Sequence, residues 1–513
     1  MRRIMFSILT LVATASYSVT AQGFGFDDVV AKAKALAEKP YKAPEPIPKF
    51  MTDLSFNQYR NIRFDAEQSL WRESHSRFQV SMVSPGLYYT HAVKINTINS
   101  EGVRPLNYDK SQFSFPSDDL GKRVPPDLGY AGFKLTYPLV KSSVQTPFLM
   151  FAGASYFQGV GKQNVFGSSA RGVAVDTGLP TGEQFPSFVE YWLVRPAPDA
   201  HAMLFYGLLN GKSVTGAYQF TVYPGTKTLL KVKAVLIPRQ TIKLLGVAPL
   251  TSMFFYGENT PRPRGEWRQQ VHDSDGLLIH NGGSGEWLWR PLIDPKTLQM
   301  DYFSTESVSG FGLMQRHTAF ADYQDLGARY DQRPSIWVEP QGDWGKGQVV
   351  LVQLPTDKET NDNIAAFWSP LQPWPAKKPV TLAYNLSFGD AGIAGETMAH
   401  AINTFVGDGN RVGGGNVKGA YRILVDFKGG PLDKLRANAS VVGRVTARNG
   451  GQVLEQFAEY VPPIHGWRLS ILAKPADGKP LGLRAYLAQG EQTLSETWSY
   501  FLPADNNVLA GGE

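Results

Sequence analysis

Short segments that alternate apolar and polar residues recur from about Phe56 to Phe388, and they leave little room for anything but β-structure. "SRFQVSMVS", "FKLTYPLV", "FVEYWLVRP", "AYQFTVYPG", "TLLKVKAVLIP", "SIWVEP" and "GQVVLVQLP" are representative. Gly, Pro, Asn and Asp cluster between them, as strand-turn-strand connections require. The 51 Gly, the 35 Pro and an aromatic content of 12% agree, because strands favour aromatic residues and tight turns need Gly and Pro. The expected fold class is all-β. A run of this length implies a large sandwich, not a small immunoglobulin-like module.

At 513 residues the chain exceeds one ordinary core, so two domains are expected. A Gly-rich, weakly hydrophobic passage, "VGDGNRVGGGNVKG", suggests a boundary near residues 395–418. Beyond it, strand-like segments from "AYRILVDFKG" to "GLRAYLAQGEQTLSETWSYFLP" have the rhythm of an immunoglobulin-like sandwich. The start, "MRRIMFSILTLVATASYSVTAQGFGF", has a basic head, an apolar run from Ile4 to Ala13 and small residues ending at Ala21. That pattern reads as a secretory signal peptide over residues 1–21, leaving a large domain over 22–400 and a small one over 401–513. The apolar run is shorter than the roughly 20 residues a membrane span needs, so no spanning segment is expected. One helix is expected in "FDDVVAKAKALAEKPY", with Val29, Val30, Ala33 and Leu36 at helical spacing and Pro40 as its stop.

The net charge of +6 is mild and no Lys/Arg block stands out, which argues against a nucleic-acid partner. No cysteine is present, so the exported chain is held by its core alone and has no thiol nucleophile. Paired-Cys and HEXXH patterns are missing, and "DSDG" lacks the ordered acceptors of a calcium loop. Neither a metal nor a cofactor is expected. A Gram-negative periplasm fits this combination.

The residues with chemical promise are carboxylates next to aromatics. "HDSDGLLIHNGGSGEWLWRP" places Asp273, Asp275 and Glu286 beside Trp287, Trp289 and Arg290. "TDKETNDNIAAFWSP" places Asp357, Glu359 and Asp362 before Phe367 and Trp368. Between them lies a long polar and aromatic loop, "FGLMQRHTAFADYQDLGARYDQRP", and such loops in β-domains are more often functional than idle. Sugar rings stack apolar faces on Trp and Tyr, and glycosidic cleavage needs one acid and one carboxylate. The plainer reading is that turn aspartates accept backbone N–H bonds and that tryptophans fill the core.

Several stretches resemble a known family. "HDSDGLLIHNGGSGEWLWRPL", "FGLMQRHTAFADYQDLGARYDQRPSIWVEP", "WGKGQVVLVQLPTDKETNDNIAAFWSP" and "LSETWSYFLP" resemble the osmoregulated periplasmic glucan biosynthesis family of the G type, closely related to the D type. "FDDVVAKAKALAEKPYKAP" and "SYFQGVGKQNVFGSSARGVAVDTG" fit it too. The resemblance implies a galactose-mutarotase-like sandwich plus an immunoglobulin-like domain, and a periplasmic role on β-1,2-glucan. Relatives are similar to anomer-inverting endo-β-1,2-glucanases. Carried over, Asp362 is the general acid, the base is Asp273 or Asp275 with Asp275 preferred, and Glu359 shapes the acid's surroundings. Trp289, Arg290, Tyr330, Arg333 and Trp368 line the cleft, and the tryptophan-bearing hairpin forms its floor. For an acid at neutral pH the pKa of Asp362 must rise, through burial against Phe367 and Trp368 or through Glu359. Two functions stay open: a glycoside hydrolase, or a non-catalytic partner that binds glucan emerging from an inner-membrane synthase.

Overall fold

The alternation becomes two large sheets packed face to face in the computed structural model, which describes residues 23–503. One sheet runs Gln79–Val83, Gly132–Tyr137, Thr146–Ala152, Tyr156–Gly159, Ser169–Arg171, Leu245–Ser252, Ile364–Pro370, Gly347–Gln353 and Gln299–Thr305, with Val173–Val175 beside Leu245–Ser252. The facing sheet has 15 strands and includes Gly276–Asn281, Val308–Met314, Ser335–Pro340, Val380–Gly389 and Thr228–Pro238.

Period-two alternation sorts each strand into a core face and an outer face. In the first sheet Val80, Leu135, Leu149, Phe157, Ala170, Leu250 and Ala366 point between the sheets. Phe151 lies at the centre, stacked on Phe157 at 4.5 Å and Phe133 at 5.6 Å between ring centres, with Phe205 and Phe220 edge-on from the other sheet. The residues between them, Ser81, Lys134, Met150, Gln158, Ser169 and Thr251, fall on the outer face as a mostly polar row.

The helix Phe26–Ala37 forms as its spacing predicts, with Asp27 and Asp28 in its first turn, where acids suit the helix dipole. Its Val29 and Ala33 pack on Trp192, Tyr206 and Ala217 of the second sheet.

The Gly-rich passage is not a linker. It is the turn of a long hairpin between His400–Asn410 and Asn416–Lys428. Gly413, Gly414 and Gly415 all take positive φ there, a region that Cβ-bearing residues rarely adopt. This hairpin forms a four-stranded sheet with Gly466–Lys474 and Gln452–Val461. Opposite it, Val442–Ala447, Leu481–Gln489 and Thr497–Leu502 extend the 15-stranded sheet. The join is parallel, Leu288 with Thr497 and Trp289 with Trp498, so the strand Trp287–Pro291 links the two parts of the chain. Among the described residues no helix is long and apolar enough to cross a membrane. The expected signal peptide lies outside the described residues.

Truncating Phe151 to Ala removes the ring that both sheets enclose. Urea unfolding followed by circular dichroism should show a loss of about 3–5 kcal/mol; a loss below about 1 kcal/mol would mean that the sheets do not meet on this ring.

Candidate functional site

Two strand ends and one loop build the site. Asp273 and Asp275 lie between the strands Val271–His272 and Gly276–Asn281, with the Asp273 N–H donating to Met253 O (2.8 Å) and the Asp275 N–H to Met314 O (2.8 Å). Asp362 precedes the strand Ile364–Pro370, and its neighbour Asn363 fixes that turn by donating to Phe254 O (2.9 Å) and Leu354 O (3.0 Å). The loop between Val308–Met314 and Ser335–Pro340 supplies His317, Tyr330 and Arg333. Gln315 clamps it, donating to His272 O and Tyr330 O, each at 3.1 Å.

The two aspartates of the "HDSDG" turn have opposite surroundings. Asp275 is enclosed: it accepts from the backbone N–H groups of Arg316 and His317 (2.9 Å for the latter) and from His317 Nδ1 (2.6 Å). Burial would raise its pKa, but His317, His272 and these bonds hold it well below the usual carboxylate range. Burial would likewise lower His317, yet Asp275 overrides it and keeps the imidazole protonated, with Nε2 donating to Asn403 Oδ1 (3.1 Å). His272 stays neutral, lowered by burial to about 4.

Asp273 faces the other way. Its Oδ1 lies 3.4 Å from Arg333 Nε and accepts no hydrogen bond. Burial raises its pKa, Arg333 opposes the rise and Glu359 adds to it. Asp362 stands open to solvent at the mouth of a cleft, but the protein around it and the negative Asp273 across the gap lift its carboxyl to about 6, against Arg333. The lifting charge is therefore Asp273, whereas Glu359 is committed to Arg268 (2.6 Å), which also holds Glu266 and Asp325. Tyr330 is buried beneath Arg333, whose guanidinium lies 5.4 Å from its ring centre. Asp362, Asp273, Arg333, Tyr330 and Glu359 thus converge. The cleft that Asp362 borders has a volume of about 510 Å³, and Tyr41, Tyr88, Tyr89, Tyr156 and Phe185 line it.

Three residues expected in the cleft are elsewhere. Trp289 is 4% exposed and lies under Arg316 at the junction with the C-terminal strands. Arg290, 1% exposed, pairs with Asp301 (2.9 Å) in a separate hollow near Arg484 and Tyr500. Trp368, 3% exposed, points between the sheets against Trp344. In each case the alternation of a well-paired strand assigned the side chain to an enclosed face. The hairpin read as cleft floor is a junction strand, and its Glu286 binds Arg484 and Thr497 Oγ1 (2.7 Å for the latter).

The family model described as "Periplasmic glucan biosynthesis protein, MdoG" matches residues 24–502. The chain belongs to that family. A "Glucans biosynthesis protein G" from Ralstonia nicotianae is 44% identical over 498 residues, 96% of this chain and 98% of the relative. One from Dickeya dadantii is 42% identical over 495 residues, 95% of each chain. A solved galactose mutarotase related enzyme from Lactobacillus acidophilus aligns with a TM-score of 0.21 and 7% identity, over 47% of this chain and 97% of its own, too loosely to bear on the site. In this MdoG-family chain, sequence reasoning missed the aromatic wall. The signal available was "SPGLYYTH", where Pro85 and Gly86 force a turn before two tyrosines and Tyr88 ends 75% exposed. It also missed His317 and Arg268, which lie far in sequence from Asp275 and Glu359, the acids they hold.

The His317–Asp275 pair sets a stability profile. His317 is raised above its unfolded value near 6.5, so its contribution is full below that pH and is lost as pH rises through the raised value. Asp275 is depressed below 3.8, so its contribution is full above that pH and is lost in acid. The stability difference between the wild type and His317→Gln should be largest between about pH 4 and 6.5 and shrink toward pH 10. Urea midpoints that run parallel for the two proteins across this range would contradict the pairing.

Proposed function

We propose that this protein acts on the β-1,2-glucan backbone during biosynthesis of periplasmic glucans, as an inverting β-1,2-glucanase located in the periplasm. The observation that carries the reading is that Asp362 borders an aromatic-lined cleft and feels the charges of Asp273 and Arg333, which pair with each other at 3.4 Å. Tyrosines and a phenylalanine suit the apolar faces of sugar rings.

In this reaction Asp362 gives its proton to the glycosidic oxygen as the C–O bond breaks. Water attacks the anomeric carbon from the opposite face and loses its proton to Asp273, so the released end has the inverted configuration. Asp273 suits the base better than Asp275. Its Oδ1 accepts no hydrogen bond, while both oxygens of Asp275 are occupied by His317 and by backbone N–H groups. Arg333 favours the ionised form of Asp273, and that negative charge favours the protonated form of Asp362. Glu359, through Arg268, braces the loop that carries Asp362.

Incubation with linear β-1,2-glucan, reading new reducing ends and their anomer, tests this. Asp362→Asn and Asp273→Asn should each lower kcat by about 10²–10⁴-fold with folding intact. In the wild type kcat/KM should fall as pH rises past about 6, because Asp362 must be protonated. Glucan binding without release by the wild type would refute hydrolysis and leave a glucan-binding partner of the inner-membrane synthase, a role the same aromatic cleft supports.

A further inference from the structure

The outer-face row of the first sheet does not end at the cleft. One strand beyond Met150, which lines the cleft, its register partner Lys134 lines a second hollow of about 450 Å³. The two hollows adjoin at Tyr59 and Tyr89, whose ring centres are 5.8 Å apart, Tyr59 on the far side and Tyr89 on the cleft side.

The charge in this second hollow is one-sided. Arg60, Arg63, Arg72 and Lys134 line it, and among the described residues no Asp or Glu does. Arg72 is offset by Glu67 at 2.6 Å. Lys134 has no ion-pair or hydrogen-bond partner among the described residues, and burial alone lowers its pKa. A surface lysine would carry its head into water along its own stem. Lys134 instead springs from the middle of a paired strand, half-buried, beside the polar side chains of Ser81, Gln79 and Thr136. A partly desolvated ammonium with nothing to neutralise it is unfavourable until an anion arrives.

We propose that this hollow binds an oxyanion, a phosphate ester or carboxylate, carried on the sugar chain that occupies the neighbouring cleft. The anion site stands on the charges of the hollow itself; the sugar chain rests on the function proposed above. The ligand is then a glucan with acidic substituents, threaded so that a charged group reaches Lys134 while the backbone lies near Asp362.

Calorimetric titration of the mature protein with inorganic phosphate tests the anion site without reference to glucan. Saturable binding is expected, weakened about tenfold or more in Lys134→Gln and in Arg63→Gln. It should be retained in the charge-conserving Lys134→Arg and unchanged in Asp362→Asn, with thermal melts confirming that each variant folds. No saturable binding, or equal binding in Lys134→Gln, overturns the site. The second arm compares neutral β-1,2-glucan with the same glucan lightly carboxymethylated. Tighter binding of the charged form, lost in Lys134→Gln, is the expected result. Equal binding of both forms, with phosphate still bound, overturns the sugar-borne anion and leaves free phosphate as the ligand. Failure of both glucans to bind sinks the proposed function, while the phosphate titration still decides the anion site.

Discussion

The guanidinium of Arg316 sits where the large sandwich, the C-terminal strands and the site loop meet. It lies over Trp289, 3.6 Å from the ring centre, donates to both carboxylate oxygens of Glu496 (2.7 and 2.9 Å), to Glu396 (3.2 Å) and to the Ala401 carbonyl (2.8 Å). A buried charge is tolerable only when it is paired and its donors are satisfied, so this arrangement admits few alternatives. Burial and the neighbouring Glu496 keep Glu396 protonated, while Arg316 holds Glu496 ionised. The residue after Arg316 is His317, whose bond to Asp275 closes the "HDSDG" turn. With Asp275 fixed inward, Asp273 is left facing Arg333 and Asp362. The turn is thus set from behind, by residues that do not line the cleft.

That arrangement divides labour between two acids of one tetrad. Asp275 gives its charge to structure, and a line of polar contacts runs from it through His317 and Asn403 to Asp426 and Arg468. Asp273 keeps an oxygen unbonded beside a positive charge, as the proposed role of base requires. The shared 15-stranded sheet has a related consequence. Because Trp289 pairs with Trp498, displacement of the C-terminal strands would disturb the residue beneath Arg316 and, through His317, the turn that carries both aspartates.

The β-architecture and the helix Phe26–Ala37 were legible in the sequence because period-two and period-3.6 patterns are local. The two carboxylate clusters stood out because their neighbours in sequence were unusual, and the fold brings Asp273, Glu359 and Asp362 within electrostatic reach of one another. The expected cleft-lining residues were misread for a physical reason. Trp289, Arg290 and Trp368 sit in strands buried on both faces, where alternation does not tell an enclosed position from a cleft-facing one. The different surroundings of Asp273 and Asp275 come from Arg333 and His317, which the chain brings to the turn only on folding. The Gly-rich segment was legible only as a break in pattern: glycines between domains and glycines that make a hairpin turn look alike until the flanking strands pair.

The most direct test of the account is a crystal structure of Asp362→Asn soaked with linear β-1,2-glucan. The account predicts sugar rings stacked along Tyr88, Tyr156 and Phe185, with a glycosidic oxygen at the substituted side chain and a water between the anomeric carbon and Asp273. Glucan lodged instead near Arg290 and Arg484, or a chain in the cleft whose nearest linkage lies beyond reach of the substituted position, would contradict it.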